Sequence, residues 1–498
     1  MTIDSLAAPL FEALNAAAKR KHAAFYAPGH KQGKGASIKI EELLCKKIFQ
    51  ADLPELPELD SLFAPEGAIA KAQELAAATF GAEYTWFLVN GSSCGIMAAI
   101  LATCGTAEKI ILPRNIHQSA ISGLILSGAI PIFVDPVYDP AAGLAYNVTP
   151  EAVGHALMQH PDAKAVLMLH PTYQGICSDL RAIAEITHSY NIPLLVDEAH
   201  GAHFAFHFDF PPSALSVGAD LTVQSTHKTL SSLTQSSMLH LQCTRIDRSR
   251  VNRALQLVQS TSPSYLLLTS LDATRHQMAQ VGSTLMNDTI AIAERAHEEI
   301  AAISGLSVLA PSIQPGCEYI DPTRLTVNLA ELGISGFAAD EILHEQLGVT
   351  CELPLLQHLT FIISLGNDRT DIEQLIQACK SLVRLSADAP EQVKKQQQSV
   401  ASDKLNTTNR NWTTASARQA SISPREAYFA ATETTPINLA GDRLCGELIC
   451  PYPPGIPLLM PGEVITSELL ECLKQIVAAG GTITGCKDPT FQTIETLK

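Results

Sequence analysis

Short apolar runs alternate with stretches of helical periodicity between residues 84 and 241. Stretches such as 179–190 place apolar residues three and four positions apart, which is typical of a helix covered on one face. The alternation predicts an α/β fold, with a mostly parallel sheet of about seven strands and helices on its faces. The expected strands are 84–89, 109–112, 130–134, 165–169, 193–196, 221–224 and 237–241.

The pattern outside this sheet predicts further domains. The chain begins with an amphipathic helix, and a long helix is expected at 266–303. Two strands at 324–329 and 359–365 enclose a helix-like stretch and predict a second, smaller α/β unit. Five prolines at 451–463 predict fixed loops. The expected domains are an arm at 1–64, a large domain at 65–290, a small α/β domain at 291–386, a polar linker at 387–423 and a C-terminal domain at 424–498.

Composition narrows the class of partner. The 498 residues carry a formal net charge of -16, which argues against nucleic acid or an anionic membrane and favours a small-molecule ligand. The chain shows no secretion signal at its start and no apolar run of the ~18 residues that suggest a membrane span. Twelve scattered cysteines without a CxxC pair indicate neither a zinc site nor a disulfide framework. We therefore expect a cytoplasmic protein with reduced thiols and no metal site.

Two residues at strand ends are the first candidates for chemistry. Lys228 follows the run 221–224, and Asp197 follows the run 193–196, 31 residues earlier. Ligands of open α/β sheets bind beyond the carboxyl ends of strands, and this spacing is about one β-α-β unit. A surface lysine and a helix-capping aspartate are the alternatives. Together the pair suits pyridoxal 5′-phosphate (PLP), because a carboxylate beside the pyridine nitrogen keeps it protonated and the ring electron-accepting.

Two further motifs lie between predicted strands and helices. The sequence NGSSCG at 90–95 follows the first strand, and a helix start with glycines attracts a phosphate. An ordinary Gly-Ser turn is the alternative. His117 stands at another helix start, where an imidazole can lie flat on a pyridine ring or simply cap the helix.

Six motifs in order resemble the Orn/Lys/Arg decarboxylase family, and the resemblance runs nearly from end to end. The motifs are PGHKQG (28–33), DLPELPELDSLFAPEGAIAKAQ (52–73), NGSSCG (90–95), VDEAHGAH (196–203), QSTHKTLSSLTQSSMLH (224–240) and ICPYPPGIPLLMPGE (449–463). The resemblance implies a PLP-dependent, fold type I (aspartate aminotransferase-like) large domain, a smaller α/β domain and a C-terminal α+β domain. The chain resembles the short biosynthetic form, which is expected to be without an N-terminal response-regulator-like domain.

The resemblance also implies residue roles. Lys228 would hold PLP as the internal aldimine, with Asp197 on the pyridine nitrogen. His117 would stack on one face of the ring, and Ala199 with His200 would lie beside the other. The residues expected at the phosphate are Ser92, Ser93, Ser225 and His227, together with Cys94, which stands where many relatives have Thr.

Family members are dimers or higher assemblies with shared active sites. The resemblance therefore implies a homodimer or larger homo-oligomer, in which Thr234 or Gln235 acts across the interface.

The implied reaction is decarboxylation of a basic L-amino acid to its amine and CO2. We expect arginine to be preferred over lysine and ornithine, and Lys228 or His200 to protonate Cα. The distal cation needs an acidic partner in a desolvated pocket. Glu463 and Glu447 are the candidates, and Asp179 is a weaker one.

Two other functions remain open at this point. A fold type I aminotransferase would use the same Lys and Asp, but usually carries an arginine on the strand that aligns with 359–366, where this chain is apolar. Arg324 or Arg369 can still approach the site. A non-catalytic PLP-binding protein is the third possibility, although it would be expected to lack one of Lys228, Asp197 and His117.

Overall fold

The computed structural model describes residues 7–242, 244–310, 313–388, 422–452 and 455–498. Most of the predicted linker at 387–423 lies outside these residues. The chain divides into two compact units. The first unit comprises Met1–Thr103, Leu195–Phe208 and Pro212–Met286, and the second comprises Cys104–Leu194, Asp209–Pro211 and Asn287–Lys498. The domain boundaries expected from the sequence stay a prediction.

The described residues form α-helices along the whole chain. They are α1 (Pro9–Ala18), α2 (Ile38–Leu43), α3 (Lys46–Ala51), α4 (Ala68–Phe80), α5 (Gly91–Thr103), α6 (Gln118–Ser127), α7 (Pro150–Gln159), α8 (Leu180–Ser189), α9 (Thr226–Thr229), α10 (Arg248–Val258), α11 (Tyr265–Ala301), α12 (Gly336–Gln346), α13 (Arg369–Asp388), α14 (Pro424–Phe429) and α15 (Ser467–Ala478). Short 3-10 helices occur at Phe204–Phe206, Leu215–Val217, Ala330–Leu332 and Ile437–Leu439.

The β-strands alternate with these helices along the chain. They are β1 (Tyr84–Leu88), β2 (Lys109–Pro113), β3 (Ile130–Val134), β4 (Tyr138–Asp139), β5 (Leu144–Ala145), β6 (Ala165–Leu169), β7 (Ile176–Cys177), β8 (Leu194–Asp197), β9 (Leu221–Gln224), β10 (Ser237–Leu241), β11 (Ser307–Val308), β12 (Tyr319–Ile320), β13 (Arg324–Asn328), β14 (Leu353–Pro354), β15 (His358–Ile362), β16 (Thr432–Pro436), β17 (Cys450–Tyr452), β18 (Thr482–Thr484) and β19 (Thr493–Leu497).

All seven apolar runs of the predicted sheet are strands, with bounds within one residue of those expected. In the first unit the order is β1-β10-β9-β8. Strands β8 and β9 are parallel, whereas β10 is antiparallel to both of its neighbours. β8, β9 and β10 are buried along their whole length, which is why they read as continuous apolar runs rather than as alternating ones.

The second unit contains a group of parallel strands, an antiparallel sheet and a C-terminal segment with its own core. β6, β2 and β3 are adjacent and parallel, and α6 and α7 connect them along the chain. An antiparallel sheet, β11-β13-β15-β14, forms a second core with α12 and α13. The C-terminal segment builds a third core around α15, with the antiparallel pairs β16–β19 and β17–β18. Its proline-rich segment starts as part of β17 rather than as a loop, because Pro451 lies in a two-stranded ribbon.

The connection from β8 to β9 differs from the β-α-β unit that the spacing of Lys228 and Asp197 suggested. Residues 198–220 contain two 3-10 helices and no α-helix. Gly201, Pro211, Pro212 and Gly218 interrupt this segment, and proline and glycine in such positions break helical hydrogen bonding. The two strands are nevertheless direct parallel neighbours, with Asp197 opposite Val223.

Asp60 caps helix α4 from a distance along the chain. The N-cap residue Gly67 offers no side-chain cap. The Asp60 carboxylate instead accepts hydrogen bonds from the backbone N–H groups of Gly67, Ile69 and Ala70 through Oδ2, at 2.8, 3.0 and 3.2 Å. Burial tends to raise the pKa of Asp60, but its backbone hydrogen bonds outweigh this effect and hold the pKa below its ordinary value.

We predict that Asp60→Asn destabilises the first unit by about 1–2 kcal/mol at pH 7, because an amide offers one acceptor oxygen to several N–H groups. The folded carboxyl has the lower pKa, so its stabilisation is present above about pH 4 and is lost as the pH falls through the folded pKa. Urea unfolding at several pH values measures both effects. Glu74→Gln, on the exposed face of α4 itself, is the matched control. An Asp60→Asn curve that coincides with the control at every pH would contradict the capping role.

Candidate active site

Lys228 and Asp197 lie at the same edge of the sheet in the first unit. Asp197 is the last residue of β8, and Lys228 lies in α9, directly after β9. Because β8 and β9 are parallel neighbours, their carboxyl ends, and with them Asp197 and Lys228, lie at the same edge of the sheet. This is the edge at which open α/β sheets bind ligands.

The turn after β8 brings a histidine to the lysine. Nε2 of His200 lies 3.0 Å from Nζ of Lys228, within hydrogen-bonding distance. The N–H of Ala199 donates to Oδ1 of Asp197 at 3.1 Å. Burial raises the pKa of Asp197 to about 6, while the charge of Lys228 lowers it. A carboxylate as buried as this one is best stabilised by a positive group beside it.

A second polar cluster forms at the start of α5. The Ser225 hydroxyl donates to the Ser92 hydroxyl at 2.8 Å. The helix begins at Gly91, whose φ of +74° favours glycine, and Ser92 and Ser93 in its first turn are partly exposed. N–H groups at the start of a helix have no partner within the helix and attract an anion. The cluster is therefore suited to a phosphate group.

The other two residues expected at the phosphate have partners of their own. The Cys94 thiol is buried and donates to the Gly91 carbonyl at 3.0 Å, and burial raises its pKa to about 12. This side chain is directed into the helix, so it gives no support to the expected phosphate contact. Nδ1 of His227 lies 2.8 Å from the Ser236 carbonyl, and burial lowers the pKa of the imidazole. The bond to the carbonyl fixes the proton on Nδ1 and leaves Nε2 as an acceptor.

The residues of the first unit fit PLP. The cofactor has an aldehyde that reacts with an amine, a pyridine nitrogen that pairs with a carboxylate, and a phosphate. Lys228 offers the amine and buried Asp197 offers the carboxylate. Ser92 and Ser225 meet at a helix start that accepts an anion.

His117 lies in the second unit as the N-cap of α6. Its Nδ1 accepts the N–H of Ser119 at 3.2 Å. His117 therefore caps the helix through this ring nitrogen, which is the alternative role expected from the sequence. Gly455 approaches it closely. A Cβ at Gly455 would lie 3.4 Å from Nε2 of His117, and the Gly455 carbonyl accepts the N–H of Gln118 at 3.1 Å. Ring stacking by His117 stays a prediction.

Arg114, which the sequence reasoning missed, fastens the C-terminal segment to the end of β2. Its guanidinium donates to the carbonyls of Pro457 and Leu458 at 2.7 and 3.0 Å. It also forms an ion pair with Glu463 at 3.1 Å, and the Arg114 side chain is only 4% exposed. Burial raises the pKa of Glu463, and Arg114 opposes this shift. Glu463 therefore has a buried cationic partner within the chain.

The remaining acidic candidates also have partners. Glu447 accepts the backbone N–H groups of Lys487 and Glu495 at 2.6 and 3.0 Å, which holds the C-terminal core together. Asp179 caps α8 by accepting the N–H of Ala182 at 3.0 Å. These contacts favour structural roles, and substrate binding by Glu463 or Glu447 stays a prediction without support from the geometry.

The other residues considered for the site differ in exposure. Thr234 and Gln235 are exposed on the turn before β10, and Gln235 has a φ of +84°. Arg324 is fully buried 3.7 Å from Asp321, whereas Arg369 is exposed at the start of α13. Among the described residues, no group of His, Cys, Asp and Glu side chains could hold a metal ion.

Comparisons with known proteins agree with this fold. The chain superposes over 99% of its length on lysine decarboxylase A from Pseudomonas aeruginosa, with a TM-score of 0.85, 23% sequence identity and 81% of that chain covered. This likeness confirms the predicted α/β fold of the PLP-dependent fold type I class. Within the described part of the chain, no helix is long and apolar enough to cross a membrane.

Relatives identified by sequence share a higher identity with this chain than that lysine decarboxylase does. The chain is 36% identical over 492 residues to an arginine decarboxylase of Bacillus subtilis, covering 98% of each chain. It is 39% identical over 492 residues to an arginine decarboxylase of Halalkalibacterium halodurans, covering 98% of this chain and 97% of that one. Family models for the Orn/Lys/Arg decarboxylase major domain and C-terminal domain match residues 8–320 and 406–487. The chain belongs to the Orn/Lys/Arg decarboxylase family.

We predict that Arg114→Ala destabilises the second unit by about 3–5 kcal/mol, because it leaves the Glu463 carboxyl buried without its cationic partner. Glu463→Gln is the matched variant, since it removes the charge but keeps an amide oxygen for the guanidinium, and it should cost less. Urea unfolding gives the stabilities. Limited proteolysis should show earlier cleavage in the C-terminal segment of Arg114→Ala. A loss below about 1 kcal/mol in that variant would mean that the pair does not hold the segment.

Proposed function

We propose that this chain decarboxylates L-arginine to agmatine and CO2 with PLP bound through Lys228. Membership of the family gives the coarser statement: the chain is a decarboxylase of basic amino acids. The observation that supports the residue assignment is the 3.0 Å contact between Nζ of Lys228 and Nε2 of His200, at the sheet edge that Asp197 also occupies.

The proposed cofactor accounts for the electron flow. PLP, when bound, supplies an aldehyde for the substrate amine and a protonated ring that accepts the electron pair left by departing CO2. Lys228 would hold it through Nζ, and the Ser92–Ser225 cluster would hold its phosphate. Asp197 would keep the ring nitrogen protonated. The burial that raises the pKa of Asp197 also strengthens its attraction for a positive ring nitrogen.

The protein's own contributions are orientation and proton transfer. Loss of CO2 depends on the orientation of the substrate, so the chain would hold the substrate with its carboxylate positioned to leave. A proton must then reach Cα. Lys228 and His200 are close enough to share a proton between Nζ and Nε2, and either atom is a candidate donor.

Arginine is the proposed substrate because the relatives at 36% and 39% identity, matched over almost their full length, are arginine decarboxylases. The lysine decarboxylase from Pseudomonas aeruginosa is only 23% identical and longer than this chain, which spans 81% of it. The family as a whole acts on ornithine, lysine and arginine, so lysine is the next candidate.

The cellular location and the oligomeric state are also proposals. We propose a cytoplasmic homodimer or larger homo-oligomer that serves polyamine biosynthesis. The exposed turn with Thr234 and Gln235 is the segment proposed to reach a partner's active site, because it lies in the loop that leads from Lys228 to β10.

We predict that borohydride reduction of the purified holoenzyme fixes a pyridoxyl group on Lys228. The protein should be yellow before reduction and lose its visible band afterwards, because the reduced bond no longer conjugates with the ring. Peptide mass spectrometry locates the label. Lys228→Ala should carry no label, while Lys164→Ala, at an exposed lysine before β6, should be labelled as the wild type is. A label on any other lysine would remove Lys228 from its proposed role.

We predict that arginine is decarboxylated with a kcat/KM about 10- to 100-fold above that for lysine or ornithine, since differences of a methylene or a hydrogen-bonding group are worth factors of this size. Each amino acid is incubated separately with enzyme and PLP, and agmatine, cadaverine and putrescine are quantified. Dominant cadaverine would overturn the choice of arginine and keep the reaction. A keto acid formed in the presence of an acceptor, without amine, would indicate transamination instead.

A further inference from the structure

Four buried polar side chains form a hydrogen-bonded row across the sheet of the first unit. Nδ1 of His240, on β10, lies 2.8 Å from Oγ1 of Thr85 on β1. Nε2 of His240 lies 3.1 Å from Oε1 of Gln224 on β9, and Nε2 of Gln224 donates to Oε2 of Glu198 at 2.7 Å. Glu198 and His240 are fully buried, and Gln224 and Thr85 are 1% and 5% exposed. Polar groups at such depth are costly unless they are hydrogen-bonded, and each member of this row is.

Glu198 ends the row inside the turn at 197–200. Its Oε1 accepts the N–H of Ala214 at 2.7 Å. Its backbone N–H donates to the Val223 carbonyl at 2.9 Å, and its carbonyl accepts the N–H of Gly201 at 3.0 Å. A Cβ at Gly201 would lie only 2.8 Å from Cγ of Glu198, so the chain folds tightly over this side chain. Glu198 thus ties the turn to β9 and to the segment before the second 3-10 helix.

We propose that Glu198 is a positioning residue, which the row Glu198–Gln224–His240–Thr85 holds in place so that Asp197 and His200 keep their positions beside Lys228. The inference rests on the roles proposed for Asp197 and Lys228. Glu198 acts through the turn, since its carboxyl is bonded to Gln224 and Ala214.

The hydrogen bonds of the row can run in two directions, depending on whether Glu198 is ionised or protonated. If Glu198 is ionised, every donor points towards it, and His240 carries its proton on Nε2. If Glu198 is protonated, its O–H donates to Gln224 with the amide turned over, and His240 carries its proton on Nδ1 and donates to Thr85. A glutamine amide and a neutral imidazole each have one donor side and one acceptor side, so the three contacts of the row form in both arrangements, and in the second the Thr85 hydroxyl proton points away from His240.

The amide orientation recorded here, with Nε2 of Gln224 towards Glu198, is that of the ionised form, whereas burial favours the protonated form with the amide turned over. Burial raises the pKa of Glu198 to about 8, against the hydrogen bonds from Gln224 and the Ala214 N–H, which lower it. Burial lowers the pKa of His240 to about 3, so this imidazole is uncharged in both polarities. The nearest other ionisable group along the chain is Asp197, whose own charge Lys228 stabilises. A neutral Glu198 keeps a second buried negative charge away from Asp197.

The test compares Glu198→Gln with Glu198→Ala. Glutamine reproduces the neutral acid, because its amide can donate to Gln224 and accept the Ala214 N–H, and we expect kcat within about threefold of wild type. Alanine removes both bonds, and we expect kcat to fall at least about tenfold while KM changes less than about threefold. In the cofactor-free protein, the backbone amides at 199–201 should exchange hydrogen at least about tenfold faster in Glu198→Ala than in wild type. Glu198→Gln should exchange as wild type does.

Thr222→Val is the matched control. Thr222 is fully buried on β9, lies opposite His240 in register, and its hydroxyl has no hydrogen-bond partner among the described residues. The substitution keeps the shape of the side chain and should leave exchange and kcat as in wild type.

The possible results separate the alternatives. Glu198→Ala with the exchange and kcat of Thr222→Val would overturn the positioning role. Loss of kcat in Glu198→Ala without faster exchange would also overturn it, since it would point to direct chemistry. Glu198→Gln behaving like Glu198→Ala would refute the neutral form. The exchange measurement needs no cofactor, so it stands even if the borohydride label is found away from Lys228 and the proposed function fails.

Discussion

A carboxylate at the end of a fully buried strand is the constraint around which the candidate site is arranged. Asp197 is 3% exposed, and removing its charge from water is unfavourable unless a positive group is close. The parallel pairing of β8 and β9 brings Lys228 to that edge, and the turn after Asp197 brings His200 to the lysine. The charge of one residue thus determines which groups must surround it.

The sequence predicted the strands well because those of the sheet are short, apolar and mostly buried. The runs at 130–134 and 165–169 coincide with β3 and β6 to the residue. Lys228 and Asp197 were chosen as candidates because ligand-binding residues follow strands, a rule that needs no knowledge of strand order, and the structure places both at one sheet edge. The run at 359–365 was predicted three residues too long, since β15 ends at Ile362 before a turn that Ser364 and Asn367 close with a hydrogen bond.

Other features were beyond the sequence because they depend on which strands are neighbours. Gln224 and His240 are single polar residues inside apolar runs, and only the order β1-β10-β9-β8 shows that they form a row. The carboxylates of Glu463 and Glu447 were chosen for their charge. In the structure one pairs with Arg114 and the other binds backbone N–H groups. A sequence gives the charge of a side chain but not the partner that already uses it.

Gly455 has a consequence for comparing this chain with its relatives. Its φ of +84° is strained for any residue with a Cβ, and such a Cβ would also reach the side chains of His117 and Gln118. Another residue at this position would carry this strain and would push against the Gln118 side chain, so it would disfavour the present contact between the C-terminal segment and α6. In an alignment of family members, a glycine in this column would therefore be compatible with the docking of the C-terminal segment against α6 seen here, whereas a larger residue would disfavour it.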